Sequence, residues 1–424
     1  MLKGKIQLQA IAQSFACLPL LLAACGEPQA PVGETDPIVD TACEASASWV
    51  TSPNPPAEIG GGVAVGDETN CQFHQFEWQW FLALVQPQAD APGERVFETY
   101  PIYQPGEKDQ CASDPVTGQR NLAEMLAVRT AKDDATFDPV LPKDIAQATG
   151  EAVYDQSGNV VYYTIQYSLS ECQGTSTGGF PPNTTEIKAA WRVLKEADPN
   201  YYTIEATIPE VSPEPMTLGL VGFHLVMSTK NHPEFVWATF EHKTNAPDCT
   251  DPQAAPGGGW SFTSEPCAQC LKTKPPSECT DCKFNTGIDP PPGLTSDPTE
   301  VCRVYPDGTD PEPMTGGNNN DTNRANIDAL NDQLVGPDGF LTQLPADSPM
   351  AVWKNYSLIG GLWTNGGVGS EGDDVQRGSL ELANMTMETF FQQPQQNCFT
   401  CHNYDPAAPL KVSHIVSGLL PAGN

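Results

Sequence analysis

The sequence predicts an α+β fold, a strand-rich body with flanking helices ahead of a distinct C-terminal segment, and three observations lead to it. Apolar runs of strand length recur at 160–168, 201–208, 218–227 and 234–243, each bounded by Pro, Asn or Gly. Only a few stretches carry helical spacing, and no internal repeat is present. The chain holds 36 glycines and 41 prolines among 424 residues, which means many turns without the bias of a low-complexity chain.

The first predicted helix runs over 71–85 and aligns Phe76, Trp80 and Leu84. A second starts after Asn183, whose side chain caps while Glu186 completes a capping box ahead of Ile187, Trp191 and Leu194; Pro199 stops it. A third covers 325–334, and a fourth, 380–391, delivers the chain to the motif described below. Residues 306–324 read as a turn-rich, Asn-containing loop without the spacing of a calcium loop.

Residues 1–24 read as an export signal: Lys3 and Lys5 precede an apolar stretch that closes on Leu22-Ala23-Ala24-Cys25. The small residues and the thiol form a lipobox, so Cys25 is expected to take a diacylglycerol and to anchor the mature chain to a membrane by lipid. Gly26, where aspartate favours inner-membrane retention, points to the outer membrane of the cell envelope. Residues 25–42 are a flexible tether rich in Pro, Glu, Asp and Gly. Later apolar runs, the best being 218–227, fall short of the roughly 18 residues of a spanning helix. Loss of two lysines with the signal takes the net charge from −32 to −34. Such a surface excludes nucleic acid as a partner and suits a basic protein. Residues 43–303 are expected to form the disulfide-containing body, and 304–424 a segment packed on it as one unit.

Of the 14 cysteines, Cys17 leaves with the signal, Cys25 takes lipid, and Cys398 and Cys401 belong to the motif below. The remaining ten, an even number in an exported chain, suggest up to five disulfides of unspecified pairing. Cys267, Cys270, Cys279 and Cys282 form two CxxC pairs whose spacing also suits tetrahedral zinc. An oxidising compartment favours disulfides there.

Cys398-Phe399-Thr400-Cys401-His402 has the spacing at which two thiols add to the two vinyl groups of haem while the next imidazole meets the iron. It is the single CxxCH of the chain, so one covalent haem c is expected, with His402 as proximal ligand. In an ordinary cytochrome c domain the motif comes early and the methionine ligand follows it. Here 22 residues follow His402 and none is methionine, which excludes that fold. The sixth ligand is sought among His224, which lies in an apolar strand, His242, at the end of the next strand, and His414, twelve residues past His402. Met227, Met385 and Met387 are further soft candidates, whereas His74 and His232 read as structural.

The stretches 218–224, 236–242, 353–359 and 382–389 resemble a family of exported bacterial monohaem "cytochrome c family" proteins. The resemblance spans the body from about Cys71 onward. It implies a haem-c protein with site residues at Cys398, Cys401 and His402 and with His224 and His242 as further site positions, and it names no reaction. Electron transfer in the cell envelope is the leading functional expectation. The rival is a peroxidase- or oxygenase-type haem enzyme with an open sixth position and Arg192 or Glu241 beside it, or a haem-based sensor.

Overall fold

The computed structural model describes residues 43–89, 93–104, 108–111, 151–206, 214–288, 293–309, 320–371 and 375–420, all within one compact unit, Val39–Asn424. The export signal, Cys25 and the tether lie outside the described residues, as do 310–319 of the Asn-containing loop.

The protein is α+β, with few helices and a seven-stranded sheet. Its strands are β1 (Tyr162–Tyr167), β2 (Thr185–Val193), β3 (Thr203–Ala206), β4 (Met216–Met227), β5 (Val236–His242), β6 (Tyr356–Thr364) and β7 (Gln376–Gly378). They run antiparallel in the order β1-β2-β4-β5-β6-β7, with β3 added against β4. Strands β6 and β7 come from beyond residue 304, so the two sequence regions share one sheet.

The helices are α1 (Ser48–Thr51), α2 (Asn70–Leu84), α3 (Leu169–Thr177), α4 (Glu265–Leu271), α5 (Asn320–Val335), α6 (Cys398–Cys401) and α7 (Val416–Leu419). Helix α2 begins in a capping box: Thr69 accepts from Gln72 N, and the Gln72 side chain accepts from Thr69 N. Its apolar side meets one face of the sheet. Phe81 stacks on Phe240 at 4.0 Å and meets Phe223 and Trp353 edge-on, and Trp78 meets Phe240. Gly361 admits the helix here, because a Cβ at that position would run into the Glu77 carboxyl. The other face carries a second apolar cluster, in which Val226, Trp237 and Leu362 meet Leu380, Leu382, Phe399 and Val412 of the C-terminal segment.

Two predicted helices are absent. Residues after Asn183 form β2 instead: side chains alternate, with Ile187, Ala189 and Trp191 buried in the main core and Glu186 and Lys188 on the opposite face. Ile187 and Trp191 satisfy helical spacing and period two alike, and neighbouring strands on both sides decided between them. Residues 380–391 form turns, because local side-chain bonds outcompete the helix. Asn384 Oδ1 accepts from Thr386 N at 2.9 Å and from the Thr386 hydroxyl at 2.7 Å, while Asn384 Nδ2 donates to Thr239 Oγ1 at 3.0 Å.

Five disulfides join Cys43–Cys71, Cys111–Cys172, Cys249–Cys302, Cys267–Cys282 and Cys270–Cys279. The two CxxC pairs are thus a nested clasp of disulfides. Replacing Cys267 and Cys282 together by serine should lower the unfolding free energy by about 2–4 kcal/mol in urea titrations. A strong zinc chelator should leave the wild-type transition where it is.

Candidate functional site

A cleft on the second face of the sheet brings together most of the residues expected at a site. Its floor comes from β1, β2, β4 and β5, and its wall from the C-terminal segment. The two strands that matter most present their polar side chains there by register. Lys188 pairs with His224 and Glu186 with Val226 across β2 and β4. On β4, Val221 is an extra residue, since Ala190 pairs with Gly222 and Trp191 with Leu220. This bulge switches the core-facing set from Leu218 and Leu220 to Phe223 and Leu225, leaving His224 and Val226 facing the cleft.

The wall is built around Asn397. Its Oδ1 accepts from Phe399 N at 3.0 Å, capping the one-turn helix α6, while its Nδ2 donates to Leu380 O and Gln376 Oε1, both at 2.8 Å. Buried Phe399 fastens the turn to Trp237. Cys398, half-buried, and Cys401, exposed, are the free cysteines among the described residues, and both line the cleft. Burial and the nearby Glu388 charge push both thiols above their ordinary range, Cys398 far more than Cys401.

His402 follows at the end of the turn. Its Nδ1 donates to Val412 O at 2.9 Å, which places the remaining lone pair on Nε2. The ring lies between Trp237, at 4.6 Å, and His414, stacked on it at 3.8 Å with an interplanar angle of 17°. Burial, joined by His414, lowers the His402 pKa to about 3, so the imidazole is neutral at physiological pH. His414 Nε2 donates to Cys401 O at 3.0 Å, holding it alongside His402.

His224 stands on the floor with its Nε2 3.0 Å from each oxygen of Glu388, and its Nδ1 has no hydrogen-bond partner among the described residues. Burial would raise the Glu388 pKa, but His224, Lys188 and the Asn384 N–H outweigh it, and Glu388 is held below the usual carboxylate range. Lys188 is lowered by its own burial against the opposing charge of Glu388. Cys398, Cys401, His402, His414 and His224 thus share one cleft, with Ile165, Val226, Trp237, Leu382 and Phe391 as its apolar surface.

His242 does not join them. Its side chain stacks on Tyr201 at 3.9 Å, its Nδ1 bonds Thr244 Oγ1 at 2.7 Å, and its Nε2 bonds Asn200 O at 2.9 Å. Burial lowers its pKa to about 4. Met227, Met385 and Met387 are wholly buried in the main core. Arg192 pairs with Asp155 and Glu241 with Arg303, so neither reaches this cleft. His74 bonds Glu77 and Asn323, and His232 bonds Glu234 and Glu68, as structural histidines do.

Sequence reasoning missed Lys188, Trp237, Glu388 and Asn397. The first and third fell on expected helices; the alternation Glu186-Ile187-Lys188-Ala189 was the available signal for β2. Comparison with family models, curated proteins and solved structures finds no match to this chain.

In haem-free protein, Cys401 should alkylate faster than Cys398 by on the order of tenfold or more, because the thiolate is the reacting form. A quenched time course read by peptide mass spectrometry checks this, and equal rates would mean that Cys398 is open to solvent.

Proposed function

We propose that this chain is a c-type cytochrome of the cell envelope, lipid-anchored through Cys25 to the outer membrane, that binds one haem in the cleft and transfers single electrons. The observation that carries the reading is the convergence of two free thiols and a neutral, tautomer-locked histidine on one apolar cleft, in a chain whose other described cysteines are all oxidised. These residues fit the group. Cys398 and Cys401 would form its thioethers, and His402 Nε2 would hold its iron. When bound, haem supplies a one-electron redox couple that no side chain here offers.

The surrounding residues have legible roles. Val412 O fixes the His402 tautomer, as outer-shell carbonyls do for metal-binding histidines, and Trp237 and His414 clamp the ring so that it cannot swing away. His414, face to face with His402, is a packing partner and not an opposing ligand. His224 is the remaining histidine of the cleft. Glu388 accepts the hydrogen bond from its Nε2–H and orients the ring, leaving the Nδ1 lone pair available as sixth ligand. The net charge of −34 after signal removal suits a basic redox partner, whose association would weaken with salt.

A second reading, a haem enzyme with an open sixth position, is favoured by one observation: His224, Glu388 and Lys188 place three ionisable groups together in the cleft, as an acid–base site would. Purified protein should carry covalent haem, seen as a mass gain that survives denaturation, and a low-spin ferric spectrum indifferent to cyanide. His224→Ala should convert it to high spin. High-spin wild-type iron that reacts with peroxide would favour the enzyme, and protein matured with haem machinery yet lacking covalent haem would overturn both.

A further inference from the structure

We propose that Glu171 and Glu186 form a proton-sharing pair at the edge of the cleft that takes up one proton when the haem gains an electron, making this a proton-coupled carrier. The inference rests on the haem reading above and adds to it a site that the haem motif does not include.

Three separate elements build the pair. Glu171 lies in the first turn of α3 and is fully buried; Glu186 lies on β2, is 9 % exposed, and lines the cleft; Ser413 comes from the C-terminal segment and donates its hydroxyl to Glu171 Oε1 at 2.9 Å. Ser168, three residues ahead of Glu171, donates its N–H to Thr185 O at 2.8 Å and accepts from Thr185 N on its hydroxyl at 2.9 Å, which ties the start of α3 to the strand position next to Glu186 and sets the two carboxyls beside each other. Glu171 Oε2 and Glu186 Oε1 are buried and receive no donor among the described residues. Two ionised carboxylates so placed would leave both oxygens bare and their like charges adjacent in a medium that screens poorly. One proton between them removes both penalties, because the protonated oxygen donates to the other carboxylate. Burial first, and the mutual charge second, raise Glu171 well above the usual range, and burial raises Glu186.

The groups facing the pair do not supply a compensating cation by contact. Neither glutamate makes an ion pair among the described residues. Burial, joined by the Glu171 charge, raises Tyr167 of β1 to about 12, so it stays neutral. His414 acts on Glu186 through its charge, and Lys188, two residues along β2, answers to Glu388. Neither glutamate bonds Cys398, Cys401 or His402. The pair therefore holds one negative charge beside a cleft whose own charge changes by one when an electron arrives. A reduced one-electron carrier gives the electron and solvent water gives the proton, which adds to the remaining carboxylate. No covalent bond other than that O–H forms, and the net charge of the site is unchanged.

The test is the midpoint potential as a function of pH in full-length holoprotein, for wild type and for Glu171→Gln and Glu186→Gln, singly and together. Each tenfold fall in proton activity should lower the wild-type potential by up to about 59 mV over the range in which the pair titrates. The double variant, nearly isosteric but with neither carboxyl, should flatten that slope while the visible spectrum stays unchanged; either single variant keeps one carboxylate and should move the pH range of the slope. Infrared spectra of the same proteins at neutral pH should show a carboxylic-acid band in wild type that the double variant loses. A flat wild-type profile, a slope that persists in the double variant, or a wild type without the infrared band overturns the proposal. Lack of covalent haem instead overturns the cytochrome reading and the coupling with it, while the infrared band still reports whether the proton is shared.

Discussion

One sheet with two differently covered faces is the constraint on which the rest of this molecule depends. The first face is a dry aromatic core under α2, where Phe81, Phe240, Phe223 and Trp78 interlock. Burial of such rings dominates the energetics of a domain, and their edge-on and stacked geometries add to it. The second face is covered by chain with little regular structure, so its backbone groups need partners from side chains. Asn384 and Asn397 supply several of them, and in doing so they lay a non-helical segment across a sheet.

The cleft lies where that cover stops short of complete. Apolar surface from Val226, Trp237 and Leu382 runs directly into the ionisable cluster of His224, Glu388 and Lys188. Near such surface charges interact strongly, which explains why Glu388, ion-paired with His224, is held low despite its burial while Glu171 and Glu186, which make no ion pair among the described residues, are raised by theirs. The carboxyls of one face are thus shifted in opposite directions for one physical reason, the presence or absence of an ion-paired partner.

Much of this was legible in the sequence, and the failures have identifiable causes. The strands at 162–167, 216–227 and 236–242 announced themselves by apolar runs and helix α2 by its spacing. The continuous run 218–227 concealed the bulge at Val221, which alone decides that His224 faces the cleft and not the core. His242 does lie on the Phe240 side of β5, as period two indicated, but the cleft opens on the opposite, Trp237 side. The expected helix after Asn183 failed because capping and spacing are local signals, whereas β2 is held by β1 and β4, which are distant in the chain. The expected helix at 380–391 failed because Asn384 and Thr386 find better partners locally and in β5 than a helix would offer them.

The disulfide map has a further meaning once the order in which a chain emerges is considered. None of the five bridges reaches past Cys302, and the last of them nest inside one another at 249–302, 267–282 and 270–279. A chain that crosses a membrane from its N-terminus therefore presents every bridging cysteine together with its partner before Cys398 and Cys401 emerge. Pairing of the body and appearance of the two free thiols are thus separated by position along the polypeptide, and those thiols follow a scaffold in which every other described cysteine already has its partner.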